Sequence, residues 1–231
     1  MRPPKKLLVT CSGLLAASLL LPSPAAALPI DVLVNKQHPV QPLSLEPEDL
    51  STPFVRLALP PDDPEMQLRA PASHALEKMF QAAAKENISL VLSSGYRSYT
   101  QQSTLYQQAL FYGGAAANEA VARPGYSEHQ TGLAADIITS DYICAAQGCF
   151  TVTRASAWLQ NNSCKYGFIQ RYPDYKQPLT SYEYEPWHYR YVGSTLARKL
   201  YQNQQTLDEY SQQHAVSVPP QLTIQLQGIK F

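Results

Sequence analysis

The sequence predicts an α+β fold with a small central antiparallel sheet flanked by helices. Its 231 residues, its balance of 18 basic and 18 acidic side chains and its 45% apolar content suit one globular domain with a real core. Short strand-like segments alternate with segments of helical spacing, without strand–helix–strand units of equal length. This irregular alternation favours a mixed, antiparallel architecture, and the near-neutral charge gives no sign of nucleic-acid binding.

The N-terminus has the organisation of an export signal. Three basic side chains precede an apolar run from Leu7 to Leu21, and small residues follow it up to Ala27. We therefore predict a signal peptide over residues 1–27, cleaved after Ala27, and an exported, extracytoplasmic mature protein. An uncleaved membrane anchor is the alternative; after cleavage we expect no stable membrane span.

The first half of the mature chain contains an arm, a helix, a strand and a second helix. Residues 28–64 are rich in proline without a sustained period, which predicts an extended N-terminal arm. Apolar residues from Met66 to Glu86 recur at helical spacing, and Ile88 to Ser93 follows as a short strand. Ser98 or Thr100 can cap a second helix, which the glycines at 113 and 114 end.

The second half is predicted from turn residues and alternation. We expect a brief helix at 115–122, a loop at 123–130, a strand at 132–139, a helix at 153–163, a strand at 167–172, a Tyr-rich loop at 174–184, a strand at 187–192, a helix capped by Ser194 or Thr195, and a terminal edge strand at 222–226. The candidate functional residues lie in or beside the loops and strands of this half.

Three cysteines remain after the predicted cleavage, namely Cys144, Cys149 and Cys164. In an oxidising compartment two of them should pair, and a bond between Cys144 and Cys149 would close a small loop. Pairing of either one with Cys164 and a fully reduced state stay open. Zinc binding by the cysteines is disfavoured, because no Cys-x-x-Cys pair or nearby histidine completes a ligand set.

Two histidines and one aspartate form a candidate metal site. His129 and Asp136 lie in one Gly-rich stretch, and His188 follows in a second stretch rich in aromatic residues. A catalytic zinc typically takes three protein ligands and leaves its fourth position to water, and it accepts such mixed nitrogen and oxygen donors. An isolated histidine beside Gly and Ser is more often a surface residue, but the clustering in motifs favours a site for one Zn²⁺.

Glu185 is the candidate general base, lying three residues before His188. Such a carboxylate could take a proton from water and pass it to a leaving amine. Partial burial beside Trp187 would raise its pKa towards neutrality. Residues three apart in a regular strand face opposite ways, so this role requires a kink at Pro186. A salt bridge or a fourth metal ligand are the alternatives.

Arg97 follows a predicted strand in a Gly-led turn, a position from which a side chain can project into a site. Its forked guanidinium suits a terminal carboxylate or an oxyanion, although an arginine in a turn is often only solvated. Ser127 and Gln102 could add hydrogen bonds to the same end of a substrate.

Four ordered motifs make the chain resemble the VanY-type D-alanyl-D-alanine carboxypeptidases, which are zinc peptidases of bacterial cell-wall peptides. The motifs are Ser-Gly-Tyr-Arg-Ser at 94–98, Ser-Glu-His-Gln-Thr-Gly-Leu-Ala-Ala-Asp at 127–136, Tyr-Gly-Phe-Ile-Gln-Arg-Tyr at 166–172 and Tyr-Glu-Pro-Trp-His-Tyr-Arg-Tyr at 184–191. The resemblance implies a lysostaphin- and hedgehog-like fold. It also implies His129, Asp136 and His188 as zinc ligands, Glu185 as catalytic base, and Arg97, Gln102 and Ser127 as substrate-binding residues.

The resemblance therefore implies a zinc carboxypeptidase that removes the terminal D-alanine from peptidoglycan stem peptides at a D,D or an L,D bond. Together with the predicted export signal, it leads us to expect a monomeric enzyme in the cell wall or periplasm of a bacterium. Residues 65–205 would form the catalytic domain and 206–231 a C-terminal tail. Two alternatives stay open, a dipeptidase acting on free D-Ala-D-Ala and a non-catalytic wall-binding module in which zinc only stabilises the fold.

Overall fold

The computed structural model describes residues 28–139 and 148–214. The strands are β1 Leu50–Ser51, β2 Leu68–Arg69, β3 Leu90–Ser94, β4 Ala134–Thr139, β5 Phe168–Gln170 and β6 His188–Tyr191, and the helices are α1 Ala70–Lys85, α2 Tyr99–Gly113, α3 Ala117–Ala120, α4 Arg154–Asn162, α5 Gln177–Thr180, α6 Ser194–Asn203 and α7 Leu207–His214. The predicted signal peptide, Cys144 and the predicted strand at 222–226 lie outside the described residues.

A four-stranded sheet in the order β3–β4–β6–β5 forms the centre of the molecule, and every neighbouring pair is antiparallel. This confirms the predicted α+β class with a small antiparallel sheet. In the central pair, Asp136 of β4 lies directly opposite His188 of β6. Opposed residues of an antiparallel pair place their Cβ atoms about 5 Å apart, so the register alone brings these two side chains together.

The core lies between the sheet and the helices α1 and α4. Helix α1 buries Leu76, Met79 and Phe80 at helical spacing, and they pack in one cluster with Leu92 of β3 and Ile137 of β4. Because these strands also carry or adjoin the candidate ligands, the apolar packing holds the site on rigid elements.

The N-terminal arm packs on the domain and contributes only the two-residue strand β1. Its backbone at Arg56 and Ala58 exchanges hydrogen bonds of 2.9 Å with Leu92, which covers the outer edge of β3. An ion pair of 2.8 Å joins Asp49 of the arm to Arg69. The proposed domain boundaries stay predictions.

Several predicted boundaries were wrong for identifiable reasons. Helix α1 begins at Ala70, because Leu68 and Arg69 pair with β1 as a strand. Ser194 is the first helical residue of α6, and neither it nor Thr195 provides the cap, because Gly193 occupies that position without a side-chain bond. Ser98 does cap α2, in a reciprocal capping box with Gln101.

Two short helices, α5 and α7, were not predicted, because contacts with distant parts of the chain and not a local sequence pattern stabilise them. Helix α5 lies inside the predicted Tyr-rich loop, and α7 follows the predicted end of the domain, where Leu207 is fully buried. Cys164 is a buried free thiol, so the alternative in which it forms a disulfide is wrong. Within 28–139 and 148–214, no helix has both the length and the apolar character needed to cross a membrane.

Candidate metal centre

The three predicted ligands converge from three elements. Asp136 and His188 come from the paired strands β4 and β6, and His129 comes from a short 3₁₀ turn, Glu128–Thr131, just before β4. The Ser127 hydroxyl caps this turn by accepting the His129 backbone N–H at 3.3 Å. Gly132 ends it at φ +66°, where a Cβ would lie 2.9 Å from two neighbouring side chains, so glycine is required there.

The donor atoms fit one small ion. His129 Nε2 lies 3.5 Å from Asp136 Oδ2, His188 Nδ1 lies 3.1 Å from Asp136 Oδ1, and the donor atoms of the three residues all lie within 4.8 Å of one another. Three donors bound tetrahedrally at about 2.1 Å would lie about 3.4 Å apart. Asp136 Oδ1 is buried and makes no hydrogen bond of acceptable geometry within the described chain, as expected of an oxygen that serves a metal.

The outward nitrogen of each histidine has its own acceptor. His129 Nδ1 lies 2.6 Å from the Gly95 carbonyl oxygen, and His188 Nε2 lies 3.4 Å from Glu128 Oε2. Metal-binding histidines usually donate their second N–H in this way, which orients the ring and frees the inner nitrogen. The rings stand nearly perpendicular, at 86°, with their centroids 5.0 Å apart.

The electrostatics favour positive charge between the three side chains. Burial opposes a charge on each of them, yet the close carboxylates of Asp136 and Glu128 raise the pKa of His188 to about 10. Burial, together with Arg97 and His188, lowers the pKa of His129. Burial also opposes ionisation of Asp136, but the two histidines hold the pKa of its carboxyl well below the usual range. A divalent ion would supply the positive charge that this set attracts.

Glu185 lies beside the three ligands. The His188 backbone N–H donates to the Glu185 carbonyl at 3.2 Å, which closes a turn through Pro186. This turn is the kink at Pro186 that the base role of Glu185 requires. It places Glu185 Oε2 3.6 Å from His188 Nδ1. Burial raises the pKa of Glu185 to about 7, with Asp136 and Glu128 adding to the rise and His188 opposing it.

A cavity of about 330 Å³ opens onto these groups, and Arg97, Gln102 and Ser127 line it together with Glu185 and Trp187. The Arg97 guanidinium donates to Gln102 Oε1 at 3.0 Å and to Ser94 Oγ at 2.9 Å, and Gln102 in turn donates to the Ala122 carbonyl at 2.7 Å. Arg97 is thus held in place inside the cavity. The structure brings all seven predicted site residues to one place.

The family model described as VanY D-alanyl-D-alanine carboxypeptidase matches residues 65–194, more than half of the chain. The chain belongs to the VanY family. Among its relatives is the protein YodJ of Bacillus subtilis (strain 168), 45% identical over 179 residues, which are 77% of this chain and 65% of YodJ. The chain thus spans slightly less than two thirds of that relative.

Two solved structures share the fold of this VanY-family chain. One is the LdcB LD-carboxypeptidase, with a TM-score of 0.74, 44% identity and coverage of 78% of this chain and 84% of that one. The other is a variant of the vancomycin-resistance D,D-pentapeptidase VanY in complex with Zn(II), with a TM-score of 0.64, 33% identity and coverage of 78% and 97%. These likenesses confirm the predicted family and its zinc-peptidase fold.

Sequence reasoning missed three residues around the VanY-family site. Glu128 is fully buried beside His188, and Tyr172 and Tyr182 line the cavity, with the Tyr172 ring 5.0 Å from the His188 ring. Glu128 lies inside a quoted motif, next to His129, and its position there was the available signal. Tyr172 ends the quoted motif at 166–172, which was the available signal for it, whereas Tyr182 lies in a segment interpreted only as a loop.

Replacing Gly95 by alanine should disturb His129 through the Gly95 carbonyl, which lies 2.6 Å from His129 Nδ1. A Cβ at Gly95 would lie 2.4 Å from the Gln67 backbone oxygen and 3.0 Å from that of Glu65. The backbone must shift, which we expect to cost about 1–3 kcal/mol of unfolding free energy and to weaken metal binding through the Gly95 carbonyl. Chemical denaturation and a zinc titration check this. Gly113→Ala is the control, since its Cβ would come no closer than 3.9 Å to a neighbour; equal behaviour of the two variants would contradict the prediction.

The buried Glu185 should make the metal-free protein less stable as pH rises. Its pKa is about 7 when folded against an ordinary 4.5, so the folded state holds this proton more tightly than the unfolded chain. The stability contributed by protonated Glu185 is therefore lost from about pH 4.5 through pH 7. One pKa unit corresponds to about 1.4 kcal/mol, so Glu185→Gln should gain up to about 3 kcal/mol over the wild type across this window. Urea denaturation in chelator at several pH values measures the difference, and a difference independent of pH would contradict it.

Proposed function

We propose that the protein is an exported zinc carboxypeptidase that releases the C-terminal D-alanine from peptidoglycan stem peptides. The observation that carries the proposal is the shared cavity, where an anchored Arg97 and a Glu185 of raised pKa line the same space as His129, Asp136 and His188. Family membership and the zinc complex of a structural relative support the choice of reaction and metal.

His129 Nε2, an Asp136 carboxylate oxygen and His188 Nδ1 would hold the ion. When bound, zinc supplies Lewis-acid polarisation of a carbonyl and lowers the pKa of water. Arg97 binds the terminal carboxylate of the peptide, and Gln102 and Ser127 orient the last residue beside it. This arrangement selects peptides with a free C-terminus.

Glu185 moves the proton of the reaction. It takes a proton from the water that attacks the scissile carbonyl carbon, and the carbon–nitrogen bond to the terminal alanine then breaks. The same carboxyl gives the proton to the departing amine nitrogen, so that Glu185 returns to its starting state. A pKa near neutrality suits both transfers, because the group must gain and lose a proton at one pH.

Synthetic peptides decide between the possible bonds. The purified protein is incubated with added zinc, and separately with chelator, on muropeptides that end in D-Ala-D-Ala and on muropeptides that end in L-Lys or diaminopimelate followed by D-Ala. Mass spectrometry should show zinc-dependent loss of one alanine, and the substrate that loses it names the D,D or the L,D bond. Cleavage of free D-Ala-D-Ala alone would support the dipeptidase, and zinc binding without any release would support a wall-binding module.

A further inference from the structure

Glu128 occupies the centre of a buried ion network that the proposed reaction does not use. Its Oε1 accepts hydrogen bonds from Arg171 Nε at 2.7 Å and from Arg190 Nη1 at 2.8 Å. Its other oxygen, Oε2, lies 3.4 Å from His188 Nε2. The side chains of Glu128 and both arginines are completely buried. A buried carboxylate shared by two guanidinium groups stays ionised and can only accept hydrogen bonds.

We propose that Glu128 is a positioning residue that fixes the tautomer of His188 for metal binding. A neutral imidazole has one N–H, and only its other nitrogen can bind a metal. Because Glu128 Oε2 can only accept, the nitrogen facing it, Nε2, must carry the proton. The lone pair is then left on Nδ1, which faces Asp136 Oδ1 at 3.1 Å. The inference rests on the metal site of the proposed function.

The two candidate histidine ligands thus use opposite tautomers. His129 faces the Gly95 carbonyl with Nδ1 and the Asp136 carboxylate with Nε2, whereas His188 faces Glu128 with Nε2 and Asp136 with Nδ1. A carbonyl suffices for the first histidine. The Nε2 edge of the second histidine, His188 on strand β6, faces the buried ion network, and Glu128 is the acceptor there.

Both ends of the described chain brace the two arginines. Asp208, in the first turn of α7, accepts from Arg171 Nη1 at 2.5 Å and from Asn35 Nδ2 at 2.9 Å. Arg190 Nη2 donates to the carbonyls of Ile30 at 3.1 Å and Val32 at 2.8 Å. Each guanidinium is therefore fixed independently of Glu128. This bracing holds the Glu128 carboxylate in one orientation against His188.

The variant Glu128→Gln tests the role because it keeps the shape and removes one acceptor. If the amide oxygen keeps the two arginines, the amide NH₂ faces His188 Nε2–H. If the amide turns over, the NH₂ faces two guanidinium groups. Either orientation opposes two donors, or it forces His188 into the Nδ1–H tautomer, which cannot bind the ion through Nδ1. The control is Glu209→Gln, which removes a carboxylate charge near the same end of the described chain, where Glu209 pairs with Lys176 at 3.1 Å outside the Glu128 network.

The readout is Co²⁺ binding by the full chain, followed through the visible absorption bands of the bound ion. Loss of such a partner typically weakens metal affinity about 10- to 100-fold, and we expect this for Glu128→Gln, with Glu209→Gln within about threefold of the wild type. Wild-type affinity in Glu128→Gln, or an equal loss in both variants, would overturn the proposal.

A second measurement on the wild-type protein does not depend on the folding of a variant. Imidazole ¹⁵N spectra of the zinc-loaded protein should show His188 protonated at Nε2 and His129 protonated at Nδ1; a proton on His188 Nδ1 would overturn the assignment. Both readouts are independent of substrate. A protein that cleaves no peptide but shows these tautomers would refute the proposed function alone, and active enzyme with the opposite tautomer would refute only the role of Glu128.

Discussion

Glu185→Ala is expected to bind zinc with wild-type stoichiometry and to release almost no alanine from a peptide that the wild-type protein cleaves. Proton transfer by a positioned carboxylate typically contributes about 10²- to 10⁴-fold to a rate, and Glu185 makes both transfers in the proposed reaction. Its carboxylate lies beside His188 but outside the three ligands, so zinc should remain bound. Alanine release by mass spectrometry and zinc content of the dialysed protein measure the two properties.

Glu183→Ala is the matched control for this experiment. Glu183 lies two residues away, is exposed and does not line the cavity, so its removal should change turnover by less than about twofold. Turnover retained in Glu185→Ala would refute the base role, and loss of zinc from that variant would instead favour Glu185 as a metal ligand.

Arg97→Ala is expected to lower kcat/KM strongly on a peptide with a free terminal carboxylate and only slightly on the same peptide without that carboxylate. Truncating one partner of a buried charge pair costs about 2–5 kcal/mol, which corresponds to a loss of about 30-fold to several thousandfold in kcat/KM on a peptide with a free C-terminus. On the same peptide with a C-terminal amide, wild-type protein should already be slow and the variant should be within about tenfold of it. The four rate constants form a cycle that isolates the contact between guanidinium and carboxylate.

Two further variants test whether the effect of Arg97→Ala is specific to its forked guanidinium. Arg97→Lys keeps the charge but loses the fork that Gln102 and Ser94 hold, so it should recover only part of the rate. Arg154→Ala removes an exposed arginine from the start of α4 and should leave kcat/KM unchanged on both substrates. Equal losses on the acid and the amide in Arg97→Ala would mean that this arginine acts on the scissile carbonyl or on the fold.

Local patterns were sufficient to predict the four central strands and the convergence of the ligands. The strands β3 to β6 alternate or run apolar between turn residues, and the predicted segments contain each of them apart from Ser94 at the end of β3. From the sequence, the role of Glu185 as a base could be stated only on the condition that the chain kinks at Pro186. The turn that closes between Glu185 and His188 has that geometry.

The buried charges could not be predicted from local patterns. Arg171 and Arg190 lie at or near strands that otherwise indicate apolar burial. Both are completely buried, because carboxylates far away in the sequence neutralise them: Glu128 pairs with both arginines, and Asp208 pairs with Arg171. Helix α7 likewise could not be predicted, because it is stabilised by burial of Leu207 and by the contact of Asp208 with this network. Such pairings depend on tertiary distances, which periodicity and spacing do not contain.

The most direct test of this account is a crystal structure of the zinc-loaded protein with anomalous data at the zinc absorption edge. We expect one ion bonded at about 2.0–2.2 Å to His129 Nε2, an Asp136 carboxylate oxygen and His188 Nδ1, with Glu185 beside it and not bonded. An ion bonded to Glu185, to His188 Nε2 or to residues elsewhere in the chain would contradict the account.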